Sequence, residues 1–91
     1  VIKVRSYDSE EIISRELALI KVAATQSKRA EIMNILSVIG ARIVDLAKST
    51  ITAEICDSSE KIDQAEELLR PYSIKEVART GTVALPKTAE T

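Results

Sequence analysis

One antiparallel sheet of four strands with two helices on one face, an α+β sandwich, is the fold class that this sequence predicts, and three observations carry the prediction. The apolar periodicity alternates between strand-like and helix-like in the order strand, helix, strand, strand, helix, strand. The two middle strands are separated by a short polar break, which makes them a hairpin and the sheet antiparallel. The chain has 91 residues, enough for one core and little more.

The elements follow in order. Val1, Ile2 and Val4 resemble the end of a strand, and "SYDSEEIIS" is polar enough for a linker, so a boundary is expected between about Ser6 and Ser14. "RELALIKVAAT" is the first strand of the domain proper. It is apolar on both faces, with Ala18, Ile20, Val22 and Ala24 on one side and Leu17, Leu19 and Ala23 on the other. Ser27 stands where an N-cap belongs for "KRAEIMNILSVIG". In that helix Ile32, Ile35, Leu36 and Ile39 share a face, and Gly40 sits where a C-terminal cap is expected.

"ARIVDLAKS" and "TITAEICD" form the hairpin; Ile51, Ala53 and Ile55 face one way, Thr50, Thr52 and Glu54 the other. Asp57 and Glu60 have capping-box spacing and open a second helix whose buried stripe is Ile62, Ala65, Leu68 and Leu69. Pro71 stops it, and the closing strand starts at Ile74. With right-handed crossovers this order is the ferredoxin-like, or ACT-like, β-α-β-β-α-β arrangement. Only one sheet face is covered by helices, so the apolar second face of the first strand calls for a second copy or a neighbouring domain.

Composition narrows the function classes. A net charge of -1 and only two aromatic residues, Tyr7 and Tyr72, leave neither an electrostatic footprint nor stacking platforms for nucleic acid. No apolar run is long enough to span a bilayer. The single cysteine, Cys56, suits a reducing compartment and makes a cytoplasmic protein, or a plastid one in a plant, the expectation. The start has neither an initiator methionine nor a secretory h-region, and the chain reads as a piece of something longer.

Reactive groups are sparse. The chain has no histidine, which removes the commonest general base and transition-metal ligand. Cys56 has no such activating neighbour and reads as a packing residue. Asp57, Glu60, Asp63, Glu66 and Glu67 read as caps and a solvated face rather than a cation site. In "VARTGTVAL", Gly81 reads as a bulge or a close backbone approach, and Arg79 as a solvated residue or a contact residue beside Thr80. The possible interface residues are Leu17, Leu19, Arg79, Thr80 and Gly81; no catalytic, cofactor-binding or metal-binding residue is assigned.

The segments "RELALIKV", "ARIVDL", "ELLRPYSIKEVARTG" and "VAL", in this order and spacing, carry a resemblance: nearly the whole chain is similar to the C-terminal domain of the small regulatory subunit of acetolactate synthase, also called acetohydroxyacid synthase. It departs from the family's pattern at Ile39 and Gly40, where an aromatic and a basic residue are frequent, at Thr82, where a basic residue is frequent, and at Pro86. The resemblance implies a non-catalytic regulator in branched-chain amino acid (valine, leucine, isoleucine) biosynthesis. Its partner would be a catalytic subunit that carries thiamine diphosphate, magnesium and FAD, none of them held by this chain. An amino-acid effector is then expected only on an ACT domain upstream, of which residues 1–14 would be the last strand and linker, with 15–86 the ferredoxin-like domain and 87–91 a tail. A homodimer is expected. The alternative reading is a free-standing ferredoxin-like small-molecule sensor or dimerisation domain.

Overall fold

In the computed structural model, which describes residues 12–87, the chain runs β1 (Ile12–Ala23), α1 (Arg29–Val38), β2 (Arg42–Leu46), β3 (Thr50–Asp57), α2 (Ser59–Leu69), a 3-10 turn (Arg70–Tyr72), β4 (Ile74–Arg79) and β5 (Val83–Pro86). The main path of the sheet is β2-β3-β1-β4 with every neighbouring pair antiparallel, which is the ferredoxin-like order. The sheet has five strands rather than four, because the closing strand is broken into β4 and β5, both paired with β1. β1 starts at Ile12, so Ile12, Ile13 and Ser14, read as linker, are strand. The readings made for Val1, Ile2 and Val4, for the rest of the linker and for the tail beyond Lys87 lie outside the described residues.

Alternation along β1 and β3 decides which residues meet the helices. Ala18, Ile20, Val22, Ile51, Ala53 and Ile55 point one way and are at most 3% exposed. They form one core with Ile32 and Leu36 of α1 and Ile62, Ala65 and Leu69 of α2, so both helices lie on the same face. Leu68, placed in the buried stripe from its spacing, is 51% exposed. It lies one position off the i, i+3, i+7 row of Ile62, Ala65 and Leu69, which suffices to fill the space above β1 and β3.

The helix ends show local chemistry at work. α1 stops in a Schellman motif: Gly40, at φ 76°, donates from its N–H to the Ser37 carbonyl, and Ala41 donates to the Leu36 carbonyl. The α1 start departs from expectation, since Lys28 holds the N-cap position and no side chain caps it, while Ser27 lies outside with its hydroxyl 3.3 Å from that of Thr25. Arg29 instead ties this end to the hairpin turn by donating to the carbonyls of Ala47 and Lys48. α2 is capped by Ser58, whose hydroxyl accepts from the Lys61 N–H. The cap therefore lies one residue past the expected Asp57, Lys61 at N3 leaves no capping box, and Asp57 uses Oδ1 to accept from the Ser58 N–H. Pro71 falls within the 3-10 turn that finishes α2.

Candidate functional site

The closing strand begins as the edge partner of β1 and ends, among the described residues, as its only partner. Ala18 faces Arg79 in one ladder, and Arg15 faces Val83 in the next. Between them Glu16 and Leu17 of β1 stand against Thr80, Gly81 and Thr82, one extra residue on the closing strand. The surplus is absorbed at Gly81, whose φ of 82° lies where L side chains fit poorly. The bulge read from the sequence is there.

Side chains replace the lost ladder bonds. Thr80 donates its N–H to the Leu17 carbonyl, and its Oγ1 accepts from the Leu17 N–H at 3.1 Å. Beside it, Glu16 is only 4% exposed. A carboxylate so buried needs compensation, and Arg79 supplies a two-pronged pair, Nε to Oε2 at 2.7 Å and Nη2 to Oε1 at 2.9 Å. Arg79 also reaches α2, donating from Nη1 to Asp63 at 2.6 Å and to Glu66 at 3.4 Å. Hydrogen bonding from Arg79 holds the Glu16 carboxyl below its ordinary range against the upward push of burial, and the same bonds raise Arg79.

The helix-free face of the sheet follows from the register. Odd-numbered residues of β1 lie on it: Ile13, Arg15, Leu17, Leu19, Lys21 and Ala23. Opposite them stand Leu85, Val83, Cys56, Glu54 and Ala78, and Thr52 and Glu76. Ile13, Leu19, Val83 and Leu85 are 48, 41, 67 and 73% exposed. They make an apolar lane from the β1–β5 end to the middle of the sheet, and at its end Ile13, Arg15, Val83, Ala84 and Leu85 line an open depression of about 390 Å³. The lane is flanked by the pairs Lys21–Glu76 at 4.0 Å and Arg42–Glu54 at 3.9 Å. Arg15, opposite Val83, and Asp45, opposite Thr52, add one base and one acid to the ladder-paired residues of this face.

The structure divides the five residues singled out from the sequence. Leu17 and Leu19 lie on the open face, whereas Arg79 points to the helix side, Thr80 joins the strands and Gly81 turns the chain. Arg79 is not a solvated arginine: its side chain is 25% exposed and engaged by three carboxylates. Cys56, read as packed, is exposed opposite Leu17. Glu16 was missed, although a lone acid between apolar neighbours on a buried strand face was the available signal. Ile13, Val83 and Leu85 were missed because the lane forms only when β5 pairs back onto the start of β1. Among the described residues no group of three or more metal-ligating side chains comes together, and no helix is long and apolar enough to cross a membrane.

Comparison with known proteins gives a consistent picture. The family model described as small subunit of acetolactate synthase matches residues 15–88. The acetolactate synthase small subunit of Bacillus subtilis is 44% identical, over 96% of this chain and 51% of that protein. A probable acetolactate synthase small subunit of Methanothermobacter thermautotrophicus is 42% identical, over all of this chain and 55% of the relative. Among solved structures, the acetolactate synthase small subunit of Thermotoga maritima superposes with a TM-score of 0.82 at 29% identity, over 90% of this chain and 50% of that one. The chain spans about half the length of the relatives it matches.

Proposed function

The chain belongs to the acetolactate synthase small-subunit family, and on that premise we propose that it is the non-catalytic C-terminal regulatory domain of such a subunit, supporting activation and feedback control of a separate catalytic subunit. The reaction served is the condensation of two pyruvates, or of pyruvate with 2-oxobutyrate, in branched-chain amino acid biosynthesis. The observation that carries this reading is the family match across residues 15–88. The open sheet face adds to it, because a half-apolar face with balanced charges suits assembly better than chemistry. Thiamine diphosphate with magnesium would need a carboxylate set for the ion, and the described acids do not form one: Glu16, Asp63 and Glu66 are taken up by Arg79. Those cofactors, with FAD, belong on this reading to the catalytic subunit, and the amino-acid effector to a domain upstream of this one.

Self-association is part of the proposal. The occupant of the open face is a second copy of the chain, since its apolar lane is flanked by charges of both signs, Lys21–Glu76 and Arg42–Glu54, which a second copy can match with its own. The function is tested by titrating the 91-residue chain into a purified acetolactate synthase catalytic subunit and following acetolactate formation, alone and in competition with a full-length small subunit. A saturable change in turnover, or saturable competition, is expected. Flat response in both arms overturns the reading.

A further inference from the structure

We propose that the ribbon made by residues 12–15 and 83–86 is a separately opening unit, latched to the sheet by Glu16, Arg79 and Thr80, which detaches while the β-α-β-β-α-β body stays folded. The inference goes beyond the regulatory reading and does not depend on it. Its first support is the pairing: among the described residues Ile12 to Arg15 bond only to Val83 to Pro86, whereas from Glu16 onward β1 is flanked by β3. Two strands with no third neighbour are marginal on their own. The second is burial, because no member of the core lies in the ribbon and the first core residue of β1 is Ala18. Within one copy, opening therefore gives up little apolar contact, since Ile13, Val83 and Leu85 are 48, 67 and 73% exposed.

The third support is the junction itself. At the bulge the regular backbone ladder is interrupted, and what spans the gap is one backbone bond from the Thr80 N–H to the Leu17 carbonyl, the Thr80 hydroxyl on the Leu17 N–H and the paired contact of Arg79 with Glu16. Arg79 is held in turn by Asp63 of α2, so the junction at the foot of the ribbon is anchored to the helix layer as well as to β1. A restraint on the ribbon, whether from the chain that enters at Ile12 or from a molecule covering Ile13, Val83 and Leu85, would be felt at α2 through Arg79.

Native-state amide exchange on the 91-residue chain tests this. In the unaltered chain the hydrogen-bonded ribbon amides should exchange at least a hundredfold faster than those of Ile20, Val22, Ala53 and Ile55. Ile32→Val weakens the core and should speed the core amides three- to tenfold while leaving the ribbon amides unchanged, since their opening bypasses global unfolding. Glu16→Gln, with Thr80→Val as a second and milder break, should speed the ribbon amides several-fold. Ribbon amides as protected as the core, or accelerated by Ile32→Val by the core's own factor, would overturn the separate unit. Ribbon rates unmoved by both junction variants would overturn the latch.

Discussion

A paired glycine series places a magnitude on the junction. Gly81 and Gly40 both have positive φ, 82° and 76°, and at both an added Cβ meets nothing within 4 Å, so sterics with neighbours drop out and the backbone alone sets the penalty. Holding an L residue in the left-handed region costs roughly 1–2 kcal/mol, of which about 0.4–1 kcal/mol is returned by the stiffer unfolded chain. Alanine should thus destabilise by about 1 kcal/mol at either site. A β-branched side chain is worse in this region, and valine at Gly40 should reach about 2–3 kcal/mol. At Gly81 the strain has an outlet, for the ribbon can open and relax it, so the loss cannot exceed the free energy that holds the ribbon closed. Gly81→Val should therefore level off near Gly81→Ala, while the Gly40 pair keeps separating. Urea unfolding followed by circular dichroism resolves this, with 1 kcal/mol corresponding to about 4–8 °C in a thermal melt. Losses that climb equally at both sites would refute the separable ribbon, and no loss at either would refute the left-handed backbone.

Ser58→Ala should cost about 1 kcal/mol because it removes the α2 cap, whereas Ser27→Ala, outside any cap, should stay within about 0.5 kcal/mol; thermal melts of the two variants check this. Glu16 has its carboxyl lowered below 4.5 in the fold, so the stability it confers is present above the unfolded value and is lost as pH falls through the lowered one. Melting temperature measured from pH 6 to pH 3 should accordingly fall less steeply below 4.5 for Glu16→Gln than for the unaltered chain; parallel curves would speak against the pairing with Arg79. Isothermal titration of the chain with valine should give flat heats, because an amino-acid ligand needs converging donors and acceptors, and the depression at Ile13 and Leu85 is a bare apolar hollow beside Arg15. Saturable heat at low millimolar valine would place the effector here.

The parts of the fold that were legible in the sequence are those where one strand has one role. The alternation of Ile51, Ala53 and Ile55 against Thr50, Thr52 and Glu54 maps directly onto buried and half-exposed positions, since β1 lies beside β3 along its whole length. Gly40 and Gly81 were legible because few other residues take their backbone angles. What was hidden depends on partners far away in sequence. β1 changes partners along its length, and nothing local in "EIISREL" announces that Ile13 will face Leu85. Arg79 looked like surface because its neighbours in sequence are small and polar, while the acids that engage it come from β1 and α2. The cap at Ser58 rather than Asp57 was a choice between adjacent residues with equal propensity, decided by where β3 ends.

On the proposed self-association, the way copies of the chain meet is constrained by how its edges are built. β2 carries a register shift between Ile43 and Asp45, β4 another opposite Lys21 and Val22, and the β4–β5 edge is interrupted at Gly81 and ends in Pro86. Bulges, charges and proline are the features that discourage a strand from adding to an edge. The open face carries fewer such guards at its centre, where Leu19 stands between Ala78 and the Arg42-paired Glu54, with Leu17 and Cys56 in the row toward β5. Association through the face is therefore favoured over extension of the sheet. Leu19 is 41% exposed and outside the core, so Leu19→Glu should abolish self-association in sedimentation equilibrium without lowering the melting temperature by more than a few degrees. Val44→Lys alters the β2 edge at a residue of similar exposure, 44%, and should leave association intact. The reverse outcome, with the edge variant monomeric and the face variant still associated, would mean that the copies join strand to strand and that the apolar lane serves another partner.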